Sequence, residues 1–352
     1  MKITEKQIHQ ILEKAIWTPS GDNCQPWTFE WDQKHLKIFH DADRASHPLN
    51  PIGVTSILSL GCLLESIRLS SSEFSCKVSH SFQDFKNTGI AHWATVTFDE
   101  DNTERNPLAD MLLTRNTDRR FFNGGDLRPE LFEQTEMSTA QLHILNQPNQ
   151  ELINYIVEAE MLLLDHPGML PETLKWARFS LADARKTRDG LSWRNLGAKF
   201  WEVPLMPIIR DFPKILKVAK YAIAPQHRSR IKKQLKSSAG VVCVSAPISD
   251  KKNIVTAGSL MMNAWLSLTR ENYGVQPLTL SSTICTCAEQ GLLELPEKWL
   301  KFFNEGENVL KKSFKISSER SPIWMLRTGR STPLPDRAKT FRLPVSSVFS
   351  HK

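Results

Sequence analysis

Cysteine is sparse in this 352-residue chain: six, at positions 24, 62, 76, 243, 285 and 287, too few and too scattered for a disulfide framework. Cys285-Thr286-Cys287 is a lone C-x-C with no second pair, so no structural zinc site is expected. His40, Asp41, Asp43 and His47 straddle a strand end and a loop at no recognisable ligand spacing, and no other metal site is expected either. No apolar run approaches the roughly 20 residues that span a bilayer, and the stretch from Met1 to Gln10 is polar and charged, unlike a signal peptide. The expectation is a cytoplasmic protein without membrane insertion. The fingerprints G-x-G-x-x-G, the Walker loop and H-E-x-x-H are all missing, which removes the usual nucleotide and zinc enzymes.

What is present is core-forming. Hydrophobic residues make up 40% of the chain and there are ten tryptophans, which excludes a disordered class. The length predicts about two domains or one large duplicated one. The net charge of +7 favours anionic partners, phosphate-bearing cofactors as readily as nucleic acid or lipid headgroups. That charge is uneven: from Arg210 to Lys236 nine Lys or Arg residues stand against Asp211 alone. The basic segment 207–236, with Pro213 and Pro225 as breaks, fits a solvated face. It also fits a mobile lid over an anionic cofactor, and a helix lying on a membrane or nucleic acid.

Hydrophobic spacing predicts helices over 4–17, 52–69, 150–165, 171–186, 257–269 and 285–303, with another starting near Pro129. Strands are predicted at 27–31, 36–40, 76–78, 92–98, 241–245 and 323–328, and an extended segment at 278–283. The charged turn from Asp99 to Arg105 marks a boundary between halves. Leu60–Leu69 and Ala257–Leu266 align with glycine at equivalent places, Gly61 and Gly258. This implies two copies of one α/β unit. The fold class is therefore α+β.

Two motifs carry chemistry. Pro19-Ser20-Gly21-Asp22-Asn23-Cys24-Gln25-Pro26-Trp27 offers a hydroxyl, a carboxylate and an amide between two prolines, suited to recognising the edge of a flat heterocycle. The same residue types also make an ordinary helix-to-strand turn. In the second motif, Arg115 and Arg119 share a face with Thr117 if this segment is helical. Two guanidinium forks and a hydroxyl suit a phosphate monoester, and equally describe a solvated basic face.

Together the two motifs resemble the nitroreductase superfamily of FMN proteins. The Pro-Ser-x-x-Asn-x-Gln-Pro-Trp loop matches the one that lies over the flavin ring, which implies ring contacts from Ser20, Asp22 and Asn23. Arg115, Thr117, Arg119 and Phe121 match the family's Arg-x-Ser/Thr-x-Lys/Arg-x-Phe phosphate motif, and Asn116 falls where a flavin or ribityl contact is common. Leu280 and Ser281 correspond to the segment passing the flavin N5 edge. Arg342 matches a basic residue that completes the phosphate site, with Arg337 and Lys339 as runners-up. Neither half holds both motifs, which resembles the fused double-domain, Acg-like branch: an internal pseudo-dimer of residues 1–105 and 106–352, monomeric or paired again as a homodimer. The resemblance implies an FMN-dependent oxidoreductase acting on a small planar molecule, with no nucleic acid as partner and no catalytic protein residue named. A nicotinamide donor, if used, would visit transiently. The alternative is a non-catalytic protein that sequesters FMN beneath the basic lid.

Overall fold

The computed structural model describes residues 3–50, 52–102, 104–335 and 339–351; Arg337 lies outside them. Ile8, Ile11, Leu12 and Ala15 recur at helical spacing, so helix α1 (Glu5–Ala15) buries one face. Thr4 starts it in a capping box: its hydroxyl accepts the Gln7 N–H, and the Gln7 amide oxygen accepts the Thr4 N–H at 2.8 Å. Strands β1 (Trp27–Trp31) and β2 (His35–Asp41) form an antiparallel hairpin that alternates buried and half-buried residues. Helix α2 (Val54–Ser71) follows, then β3 (Cys76–Phe82) and β4 (Ile90–Glu100).

The second unit opens with β5 (Glu136–Met137) and β6 (Ala140–Asn146), neither expected from the sequence. A helical insertion intervenes: α3 (Gln150–Ala159), α4 (Leu162–Asp165), α5 (Met169–Lys175), a short parallel pair β7 (Ala177–Arg178) and β8 (Leu191–Ser192) enclosing α6 (Leu181–Thr187), then α7 (Leu205–Asp211) and α8 (Leu216–Lys236). The unit resumes with β9 (Gly240–Ala246), α9 (Lys251–Arg270), β10 (Tyr273–Pro277), α10 (Thr283–Glu289), α11 (Glu297–Phe314) and β11 (Ser321–Arg330), and β12 (Phe349–His351) ends the chain's strands.

The two sheets have one plan. Their orders are β12-β1-β2-β4-β3 and β5-β6-β9-β11-β10. In each, the third main strand along the chain takes the edge and the fourth sits inside, with one long helix between the second and third. Where the first unit turns in residues 32–34, the second inserts the whole of 147–239.

The halves meet along α2 and α9, and the aligned glycines mark the crossing. A Cβ on Gly61 would lie 2.0 Å from the Val255 carbonyl oxygen, and one on Gly258 would lie 2.2 Å from that of Leu58. Only glycine lets the two backbones approach so closely. Across the crossing, the Ser259 hydroxyl donates to the Gly61 carbonyl at 2.9 Å and the Cys62 thiol to that of Gly258 at 3.2 Å. By length and composition, residues 54–74 would suffice to cross a bilayer, contrary to the sequence reading; here they form a buried core helix.

Several expectations are corrected. The helix expected over 171–186 is two, α5 and α6, with β7 between them, and the one expected over 285–303 is α10 and the first part of α11. The segment 278–283 is a turn leading into α10 and not extended. Residues 112–122 are not helical: after a 3-10 turn at Pro107–Met111 the chain runs extended, and the Asp118 N–H donates to the Val275 carbonyl at 2.7 Å. Pro129 begins only one 3-10 turn. Pro213 interrupts the basic segment, but Pro225 lies inside α8. After β11 the chain returns to the first unit, where β12 pairs in parallel with β1, setting Phe349 opposite Phe29.

Candidate functional site: a cavity between the two units

The loop Pro19–Pro26, the start of α2, Arg115–Arg119, Pro277–Thr283 and the tail around Arg342 converge on one cavity of about 230 Å³. Both units and the insertion supply its walls.

The loop is held in strain. Asp22, Asn23 and Gln25 all adopt left-handed backbone, at φ 46°, 58° and 52°, a conformation costly without glycine and sustained only by surrounding contacts. Those contacts come from distant chain. The Asn23 amide donates to the carbonyls of Gly190 (3.0 Å) and Phe341 (3.1 Å). The Gln25 amide donates to the Arg188 carbonyl at 3.0 Å and accepts the Leu343 N–H at 2.9 Å. Ser20 Oγ accepts the Gln25 N–H at 3.0 Å. Asn23 is thus first a clamp, with only its buried Oδ1 left without a partner among the described residues.

Asp22 lines the cavity beside His47, whose Nε2 lies 3.9 Å from its carboxylate and 3.2 Å from Thr173 Oγ1. His47 Nδ1 accepts the Leu49 N–H at 3.0 Å, which leaves the proton on Nε2 facing Asp22 and Thr173. Burial raises the Asp22 pKa, opposed by His47 and Arg119. Burial lowers that of His47, opposed by Asp22 and Glu172 and aided by Lys175. His40 is elsewhere, stacked on Trp93 at 3.8 Å.

Beside the start of the loop are Arg115 and Arg342, 3% and 4% exposed. Arg115 Nη2 donates to the Trp17 carbonyl at 2.7 Å, its guanidinium lies 4.4 Å from the Trp265 ring centre, and its Nε has no partner among the described residues. Arg342 donates to the carbonyls of Ile16, Trp17 and Thr18 and to the Thr340 hydroxyl. Among the described residues neither guanidinium pairs with a carboxylate. Burial pulls Arg115 down to about 10; burial and the charge of Arg115 pull Arg342 down to about 9. Two desolvated like charges held by carbonyls and facing a cavity make a receptor for an anion. Arg119 adds a third guanidinium, anchored at 2.5 Å on the Asn195 carbonyl; burial lowers its pKa, and Asp22 and Glu160 act against that.

Of the residues singled out in the sequence, Ser20, Asp22, Asn23, Arg115, Thr117, Arg119 and Arg342 line the cavity. Asn116, Leu280 and Ser281 do not. The Asn116 amide folds back onto the Thr114 carbonyl at 2.8 Å. Leu280 and Ser281 are buried beneath the wall, where the Tyr155 hydroxyl donates to the Ser281 carbonyl. Pro277, Thr279 and Thr283 make that surface instead. No residue of 207–236 lines the cavity. Its cover is Thr173, Trp176 and Leu191, earlier in the insertion. His47, Trp176 and Trp265 were not assigned to the site by sequence. His47 stood only among potential metal ligands, and nothing in the local pattern marks the others.

The fold and site define an α+β protein with two like-ordered sheets, joined by crossed helices and sharing an anion-receptive cavity. No family model matches the chain, and no curated protein matches it. Among solved structures it is similar to several nitroreductases. One is an FMN- and NADPH-dependent nitroreductase from Sphigopyxis sp. strain HMH, at 11% identity over 70% of this chain and 98% of that one, with TM-score 0.39. Another is an FMN-dependent nitroreductase from Mycobacterium smegmatis in complex with NADPH, at 13% identity over 68% and 91%, with TM-score 0.33. A putative nitroreductase from Anabaena variabilis covers 92% of this chain with 73% of its own, at 11% identity and TM-score 0.38. Likeness at this level decides neither cofactor nor activity.

Proposed function

We propose that the cavity binds FMN and that the protein is an FMN-dependent oxidoreductase, drawing electrons from a reduced nicotinamide or another donor and passing them to a small planar acceptor. One observation carries this reading. Arg115 and Arg342 are buried without a carboxylate partner among the described residues, on a cavity that a strained polar loop also lines. A phosphate would answer the two guanidiniums, and the orphaned Arg115 Nε has a donor to give. Arg115, Thr117, Arg119 and Arg342 would hold the phosphate end. Ser20, Asp22 and Asn23 would hold the ring end. Bound FMN would supply hydride chemistry. Trp176 and Leu191, which line the cavity, would shield it from water, and His47 Nε2 would hold a proton beside Asp22. The two units read as a duplication, 1–105 and 106–352, fused so that one cavity remains.

The test is an anaerobic absorption spectrum of the purified protein, before and after NADPH or NADH. Visible flavin bands that bleach with nicotinamide are expected. Bands that persist with every donor would assign a flavin-sequestering protein instead. Protein that stays colourless after incubation with FMN would refute the cofactor.

A further inference from the structure

The large hydrophobic residues that face solvent are not scattered. Of eleven that stand out as exposed among the described residues, eight lie between 200 and 221. Isolated exposed hydrophobics are ordinary, whereas a contiguous set marks an interaction surface. The set spans three short pieces of chain. In α7 and the start of α8, Ile209 and Leu216 are buried. Leu205 and Ile208 on α7, Phe212 and Ile215 at the 3-10 turn between the helices, and Val218 and Tyr221 on α8 remain exposed, Val218 and Tyr221 by 77% and 76%. Phe200 and Trp201, edge to face at 4.9 Å, extend the surface at its N-terminal end.

Cations rim this apolar strip. Lys214 and Lys217 are exposed and pair with no carboxylate among the described residues, and the Lys199 ammonium sits 4.8 Å from the Trp201 ring centre. We infer that the 199–221 face is a membrane-docking surface, laying its apolar strip into the headgroup boundary of an anionic lipid bilayer while its lysines meet the phosphates. Charge and side-chain type select this occupant. A second copy of the chain would bring like-charged rims together in a protein of net charge +7. Aliphatic Leu205, Ile208, Ile215 and Val218 alternate with aromatic Phe200, Trp201, Phe212 and Tyr221; base stacking would use the aromatics alone, whereas an acyl-chain boundary takes both kinds. The inference stands apart from the cavity, since no residue of this strip lines it.

The experiment is co-sedimentation of the full chain with vesicles of phosphatidylcholine alone or mixed with phosphatidylglycerol. Partitioning is expected to be at least about tenfold higher on the mixed vesicles and to fall with added salt, since each lysine near an anionic surface contributes roughly fivefold. The triple variant Phe212→Ser, Val218→Ser, Tyr221→Ser should lose about tenfold or more on mixed vesicles. Its melting temperature should stay that of the wild type, because these side chains support nothing inside. Lys214→Glu with Lys217→Glu should erase the preference for phosphatidylglycerol. Equal partitioning of wild type and triple variant, or no partitioning of either, would overturn the proposal. So would a dimer in sedimentation equilibrium, or retention of a single-stranded oligonucleotide, that the triple variant alone loses.

Discussion

Replacing Arg115 by methionine separates a guanidinium that holds a ligand from one that holds the fold. The substitution keeps the length and removes the charge. Burial takes this guanidinium from an ordinary 12.5 down to about 10. At about 1.4 kcal/mol for each tenfold, the folded chain carries a penalty of about 3 kcal/mol for keeping it charged. Against this, the variant loses a cation–π contact with Trp265 worth about 0.5–2 kcal/mol. The Trp17 carbonyl is not orphaned, because Arg342 Nη2 also donates to it, at 3.2 Å. Without ligand, Arg115→Met should therefore be as stable as the wild type or more stable by up to about 3 kcal/mol. With ligand the sign reverses. Loss of a charged hydrogen bond, about 1.5–3 kcal/mol, weakens FMN ten- to hundredfold. At an FMN concentration of 100 times the wild-type Kd, the wild type gains about 2.7 kcal/mol, and the variant should gain only about 0.4–1.4 kcal/mol. Urea titrations with and without FMN measure all four quantities. A variant destabilised by about 2 kcal/mol or more that keeps the full FMN increment would show that Arg115 is structural, and the phosphate assignment would fall with it.

Two further predictions address the frame around the site. Gly61→Ala places a Cβ 2.0 Å from the Val255 carbonyl. Overpacking of about 1–3 kcal/mol or more should outweigh the roughly 1 kcal/mol that helical alanine gains over glycine. Gly258→Ala should behave alike, and unchanged urea midpoints in both would disprove the close crossing. His40 has no partner for either ring nitrogen among the described residues, and burial lowers its pKa from 6.5 to about 4. Its neutral form therefore stabilises the fold fully above about pH 6.5, and that contribution drains away as pH falls toward 4. By pH 5 the loss is about 2 kcal/mol. His40→Phe keeps the stack on Trp93 and should lose about 2 kcal/mol less than the wild type between pH 7.5 and pH 5. Identical pH slopes for the two proteins would clear His40 of the effect.

Much of the site was readable where chemistry is local. Pro19 to Trp27 carries its own turn chemistry, and Arg115, Thr117 and Arg119 present their types within five residues. Misreadings arise where a distant partner decides. Arg115 and Arg119 share the cavity because residues 117–118 bond along Val275, not because a helix aligns them. Thr279 and Thr283 line the cavity where Leu280 and Ser281 do not, because β10 ends at Pro277 and a turn follows it. Pro225 reads as a break, yet it lies within α8, a helix packed onto α3 and α4.

By itself the sequence determined what short-range physics can fix: the capped first helix, the strained loop's residue types, the guanidinium motif and the glycines at matching places in two helices. Long-range packing alone settled that those glycines meet one another, that Arg115 and Arg342, far apart in the chain, share one carbonyl, and that His47 faces Asp22. It also decided that the cavity is covered by Trp176 and not by the basic segment. Each of these depends on which distant surfaces bury one another, and hydrophobic burial is non-directional until packing selects the partner.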